Sequence, residues 1–176
     1  MKDFRSIKGT HDILPEDSYK WRHLESIVHQ VCAQFGYQEI RTPIFEQNKL
    51  FSRSVGEESD IVTKEMYSWE DKESSFLTLR PELTAPVARA YNQHNLGNLS
   101  PIHRFYYIGP LFRRERPQKG RQRQFHQFGI EAFGSNFAEQ DAEIIALAWH
   151  LLTHFRLTNK IDLQINSIGT SECRAG

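Results

Sequence analysis

The sequence predicts an α+β fold, an antiparallel sheet built around one long hairpin and flanked by two amphipathic helices. Three observations lead there. First, RFYYIGPLF (Arg104–Phe112) is rich in aromatic and branched residues, and QFHQFGIEAFG (Gln124–Gly134) alternates in polarity; the segment between them carries Pro117, Gly120 and many charges. Two strands joined by a long basic loop account for that pattern. Second, Trp21, Leu24, Val28, Val31 and Phe35 recur at helical spacing. Third, Ile144, Ile145, Ala148, Leu151, Leu152 and Phe155 do the same. Adjacent strands with separate helices favour α+β over a parallel βαβ arrangement.

Taken in order, the first helix covers Glu16–Phe35, with Asp17 or Ser18 as cap, Pro15 near its start and Gly36 as its break. YQEIRTPIF (Tyr37–Phe45) follows as a strand, with Pro43 near its end. In Phe51–Ser75, Gly56 to Asp60 form a turn, and Met66–Trp69 and Phe76–Leu79 pair across the charged EDKESS turn as a solvated hairpin. In TLRPELTAPVARA (Thr78–Ala90), Thr84 is positioned to cap a helix opened by Ala85 and Pro86 and running to about Asn95. The last helix is Ala138–Phe155, with Asp141 and Glu143 in its early turns, where the helix dipole favours acids. A final strand is expected at Lys160–Ile165.

Composition narrows the function classes. The chain carries 22 basic and 22 acidic residues, yet Arg113, Arg114, Arg116, Lys119, Arg121 and Arg123 crowd around a single acid, Glu115. Local positive charge in a neutral chain points to a discrete anion site, not to general coating of nucleic acid. No apolar run is long enough to span a bilayer, and the N-terminus lacks the apolar core of a signal peptide, so a cytoplasmic location is expected. Cys32 and Cys173 form no spaced framework, and Cys32 reads as a small buried hydrophobe. No Cys/His cluster has metal-ligand spacing, so no metal site is assigned; His11 and His126 read as structural.

Alternation along the second hairpin strand sets Phe125, Gln127, Gly129 and Glu131 on one face, and His126, Phe128, Ile130 and Ala132 on a core-like face. The first face presents a flat ring, an amide, a gap and a carboxylate in a row. Burying an unpartnered polar group costs about 2–7 kcal/mol, so Gln127 and Glu131 require partners. One reading is a bound ligand with donors, its planar ring stacked on Phe125. The other is that Glu131 pairs with an arginine of the same hairpin and nothing binds.

Arg113, Glu115, Arg121, Phe125 and Glu131, within RERPQKGRQRQFHQ and its continuation, resemble the second signature motif of class II aminoacyl-tRNA synthetases, and the histidyl enzymes in particular. That resemblance implies the ATP contacts: Arg113 on the α-phosphate and on the amino-acid carboxylate, Arg121 on the γ-phosphate, Phe125 stacked on adenine and Glu115 at the adenine edge. It also implies that Gln127 and Glu131 bind the substrate histidine and that Gln118 approaches the tRNA acceptor end. SIKGTHDILPED (Ser6–Asp17) resembles the opening segment of the same family. The helix–Gly–strand–Pro order after it resembles the first class II motif, which implies a homodimer interface across Ser6–Phe45. Thr78–Ala90 resembles the segment in which a glutamate and a threonine, here Glu82 and Thr84, receive the substrate amino group; Leu83 stands where many histidyl enzymes have glycine.

The residue types suit adenylate formation, in which two anions must approach each other. Positioned cations do most of that work, and the planar fork of arginine grips phosphate oxygens in pairs. The resemblance implies ATP as a substrate, with Mg2+ ligated mainly outside this chain, and tRNA(His) as partner. It covers nearly all of the 176 residues, read as the N-terminal portion of a catalytic domain that lacks the third motif and the anticodon-binding domain. The resemblance implies a histidine–tRNA ligase, and two alternatives stand beside it. One is the histidine-sensing regulatory subunit of ATP phosphoribosyltransferase, a non-catalytic relative. The other is a generic basic hairpin that binds nucleic acid, which leaves Gln127 and Glu131 unexplained.

Overall fold

In the computed structural model, residues 3–55, 65–72 and 74–166 are described. Helix α1 spans Pro15–Gln34 and begins on its proline, whose missing N–H is harmless in a first turn. No side chain caps it, so neither Asp17 nor Ser18 takes the expected role; both lie inside the helix, where Asp17 pairs with Lys20 at 2.7 Å.

The expected strand over Tyr37–Phe45 is split in two. Strand β1 (Gln38–Glu39) pairs in parallel with β5 (His103–Phe112), whereas β2 (Phe45–Gln47) pairs antiparallel with β4 (Phe76–Leu79). Between them lie Thr42 and Pro43, whose carbonyls accept from the Arg80 guanidinium at 2.7 and 3.1 Å. The chain therefore turns from one sheet to the other around a buried cation. Strand β3 (Tyr67–Glu70) completes the order β2-β4-β3, and the turn expected at Gly56 to Asp60 lies outside the described residues. The hairpin of Met66–Leu79 is more than a solvated ribbon. It forms a sheet with β2, and α2 (Asn48–Val55) sends the Asn48 amide to Thr78 at 2.9 Å.

Strands β5 and β6 (Gln124–Phe133) form the central hairpin, paired from His103 opposite Phe133 to Phe112 opposite Gln124. Both of its faces are covered. Tyr106, Ile108, Phe128 and Ile130 pack against α1 and α4 (Ala138–His154) with Val28, Val31, Cys32, Leu147 and Leu151. On the opposite face, Phe105, Tyr107, Leu111 and Phe125 pack against Leu83 and against Val87 of α3 (Thr84–Gln93). Burial pushes the Cys32 thiol up to about 12, in keeping with a small core side chain. Arg104 grips Glu143 of α4 with two hydrogen bonds of 2.8 and 3.1 Å, and Tyr37 and Gln140 donate to the same carboxylate. The strand expected at Lys160–Ile165 is absent: a short 3-10 turn, Thr158–Lys160, leads into extended chain that pairs with no strand among the described residues.

Candidate active site

The hairpin places the predicted residues in a row on its α3 face. Along β6, Phe125 and Glu131 are six residues apart, about 20 Å at strand rise, with Gln127 and Gly129 between them. At one end stands Glu131. Thr84 Oγ1 donates to its Oε1 at 2.7 Å, and the Tyr107 hydroxyl donates to the same oxygen at 3.3 Å. The partner of Glu131 is thus a pair of hydroxyls from α3 and β5, which corrects the expectation of an arginine from the same hairpin.

Thr84 does not cap α3 either. It is the first helical residue, and the Glu82 carboxylate accepts from the Ala85 N–H at 3.1 and 3.2 Å. A carboxylate at this point satisfies one orphan amide and complements the positive helix end. Burial raises the Glu82 carboxyl above its usual range, opposed by the amides of Ala85 and Thr84 and reinforced by the charge of Glu131. A buried carboxylate whose ionisation is disfavoured in this way, with a second carboxylate beside it, forms a site that a cation relieves. Leu83, between them, has φ −118° and ψ −14°, an ordinary right-handed conformation, and its side chain is buried against Val87, Phe105, Tyr107 and Leu111. No glycine-only geometry is required there, so leucine at this position fills core without disturbing Glu82 or Thr84.

At the other end, Arg113 is half-buried. Its Nε donates to the Pro81 carbonyl at 3.0 Å, and its guanidinium carbon sits 5.2 Å from the centre of the Phe125 ring. Neither terminal nitrogen has a hydrogen bond among the described residues, so the fork is held from behind and open in front. Arg121 pairs with Glu115 at 3.4 Å. The arginine is exposed, and such a pair is readily exchanged for a better anion. Gln118 is exposed at the loop tip, where its N–H and that of Arg121 bond to each other's carbonyls at 3.2 and 2.9 Å. A cavity of about 260 Å³ lies among Glu65, Arg114, Glu115, Arg116, Gln118 and Arg121. Gln127 is half-buried between the two ends, and its side chain makes no hydrogen bond among the described residues.

Two contributors escaped the sequence reading. Tyr107 fills the gap over Gly129: a Cβ built on that glycine would lie 2.2 Å from the tyrosine hydroxyl and ring. The register sets Tyr107 directly opposite Gly129, and that pairing is the signal that would have found it. Gly9 is the second. Its carbonyl accepts from Arg123 and Gln124 at 2.7 and 3.1 Å, clasping the return of the basic loop, and its φ of +90° suits glycine.

Comparisons with known proteins identify the family. The family model described as histidyl-tRNA synthetase matches residues 9–171. The chain belongs to the histidyl-tRNA synthetase family. A histidine–tRNA ligase from Chloroherpeton thalassium is 54% identical over 172 residues, covering 97% of this chain and 40% of the relative. The apo histidyl-tRNA synthetase of S. aureus superposes with a TM-score of 0.73 at 39% identity, over 89% of this chain and 36% of the other. A Bacillus halodurans structure described as an ATP phosphoribosyltransferase regulatory subunit/histidyl-tRNA synthetase gives 0.74 at 28% identity, over 88% and 39%. The chain therefore spans about 40% of the length of the curated relatives it matches.

Proposed function

We propose that the protein carrying this chain is a class II histidine–tRNA ligase. It joins histidine to ATP as histidyl-adenylate with release of pyrophosphate, and then passes the histidyl group to the 3′ end of tRNA(His) with release of AMP. The observation that carries this reading is the single hairpin face that ends at one pole in the Glu82–Thr84–Glu131 cluster and at the other in an open arginine fork stacked on an aromatic ring.

The division of labour follows from the charges. Glu82 and Thr84 receive the substrate ammonium, and Glu131 with Gln127 receives the imidazole. Arg113, anchored through Nε, turns its terminal nitrogens to the amino-acid carboxylate and the α-phosphate, drawing nucleophile and electrophile together. Phe125 offers a face to adenine, Glu115 meets its edge, and Arg121 leaves Glu115 for the γ-phosphate. The carboxylate oxygen attacks phosphorus in line, and the bond to pyrophosphate breaks. Gln118 and the loop around it meet the acceptor end. Among the described residues no group of three or more His, Cys, Asp or Glu forms a metal cage, and the protein ligands of a Mg2+ that accompanies ATP belong, in this reading, mainly to the part of the protein outside this chain.

Intact Arg113, Glu115, Arg121 and Phe125 favour the ligase over the histidine-sensing regulatory subunit, because a sensor needs no adenine stack. A homodimer through Ser6–Phe45 belongs to the same reading: Ile7, Leu14, Tyr19, Ile44 and Phe45 in that region all expose large apolar side chains. A cytoplasmic ligase fits a chain in which no described helix is long and apolar enough to cross a membrane. The test is titration of histidine and ATP separately into the complete protein and its Glu131→Ala variant. The expected result is histidine affinity lowered at least tenfold with ATP affinity within twofold. Equal losses for both ligands would assign Glu131 a structural role.

A further inference from the structure

We propose that Tyr107 is a positioning residue for amino-acid specificity: it fixes Glu131 so that Oε2 alone faces the ligand as an acceptor for a ring N–H. This rests on the reading of Glu131 as a histidine contact. Both protein hydrogen bonds to this carboxylate, from Thr84 and Tyr107, converge on Oε1, and none among the described residues reaches Oε2. An otherwise free carboxylate rotates and exchanges its oxygens. Two hydroxyls on one oxygen remove that freedom and leave a single directed acceptor. The tyrosine is 3% exposed, so its ring is held by the core beside Leu83 and Phe105. Burial pushes its phenol up to about 12, which keeps it a donor at any physiological pH.

Gly129 is the other half of the device. The Tyr107 ring crosses the space a side chain at 129 would fill, at 2.2–2.4 Å from an ideal Cβ. Any larger residue there would drive the ring away from Glu131. Thr84 alone would then hold the carboxylate, and Thr84 is exposed and also faces the substrate ammonium. Thr84 thus serves both the amino end and the carboxylate, whereas Tyr107 orients only the acceptor for the side chain. A site losing a directed acceptor loses discrimination between a ligand that can donate and an isostere that cannot.

The experiment is amino-acid-dependent ATP–pyrophosphate exchange by the complete protein, its Tyr107→Phe variant and its Gly129→Ala variant. The substrates are histidine and an analogue whose thiazole ring has no N–H. In Tyr107→Phe the KM for histidine should rise about tenfold and the preference for histidine over the thiazole analogue should fall at least fivefold, with kcat and the KM for ATP within twofold. Gly129→Ala should move the same quantities in the same direction. Tyr107→Phe with unchanged histidine KM and unchanged preference overturns the proposal, as does an equal rise in both KM values. Wild-type protein that binds ATP but neither binds nor activates histidine removes the underlying reading as well, so the two failures are distinguishable.

Discussion

In the proposed reaction Arg113 is the central residue, because its Nε is spent on the Pro81 carbonyl while its terminal nitrogens make no hydrogen bond among the described residues. Arg113→Ala should lower the rate of adenylate formation 10²–10³-fold, by analogy with the loss of one oxyanion donor at about 2.7–4 kcal/mol. Single-turnover measurement of adenylate checks it, and near-normal turnover would remove Arg113 from its role. At this scale much was legible. The alternation along Gln124–Gly134 placed Phe125, Gln127 and Glu131 on one face, where the structure has them. The partners of Glu131 were not legible, because they come from elements 24 and 47 residues away in the chain. The capping assignment missed for a related reason: threonine and glutamate in RPELT both suit a helix start, and the pull of Glu131 on the Thr84 hydroxyl left Glu82 to serve the amide.

Among the elements, the basic loop depends on a segment far from it in sequence. Arg123 and Gln124 both donate to Gly9, and a Cβ at Gly9 would lie 2.9 Å from the side chains of Arg123 and Pro117. Gly9→Ala should therefore displace the return strand of the loop and weaken ATP at least fivefold while leaving histidine affinity within twofold. Paired titrations check this, and unchanged ATP affinity would mean that the clasp does not set the loop. The periodic helices were readable to within a residue or two, since α1 and α4 are determined by their own apolar stripes. The segment Tyr37–Phe45 was not, because its two halves join different sheets and no local pattern records that change of partner. Lys160–Ile165 has strand composition, yet a strand is a property of a pair.

Across the whole molecule, two polar assemblies hold the layers in place. Arg80, 5% exposed, sends hydrogen bonds to Thr42, Pro43 and Pro110, joining the two sheets beside the Pro81–Glu82 rim of the site. Arg104, Tyr37 and Gln140 converge on Glu143 and tie α4 to the central hairpin. The hydrogen bond from Arg104 holds the Glu143 carboxyl below its ordinary value of about 4.5, with those from Gln140 and Tyr37 acting the same way. A depressed folded value means stability that is present above about pH 4.5 and lost as pH falls from there through the folded value. Glu143→Gln should flatten that acid limb in urea midpoints measured from pH 6 downward, and an unaltered limb would show that the cluster does not carry it. The α+β class was legible because local periodicity separates helices from strands. The second sheet was harder to foresee, because β2 and β4 are brought together by the turn around Arg80.

The most direct test of the account as a whole is ATP–pyrophosphate exchange by the complete protein, measured with each of the twenty amino acids in turn. Exchange with histidine is expected at least a hundredfold above that with any other amino acid. Histidine binding without exchange would contradict it, and would leave the arginine fork over Phe125 without the reaction proposed for it.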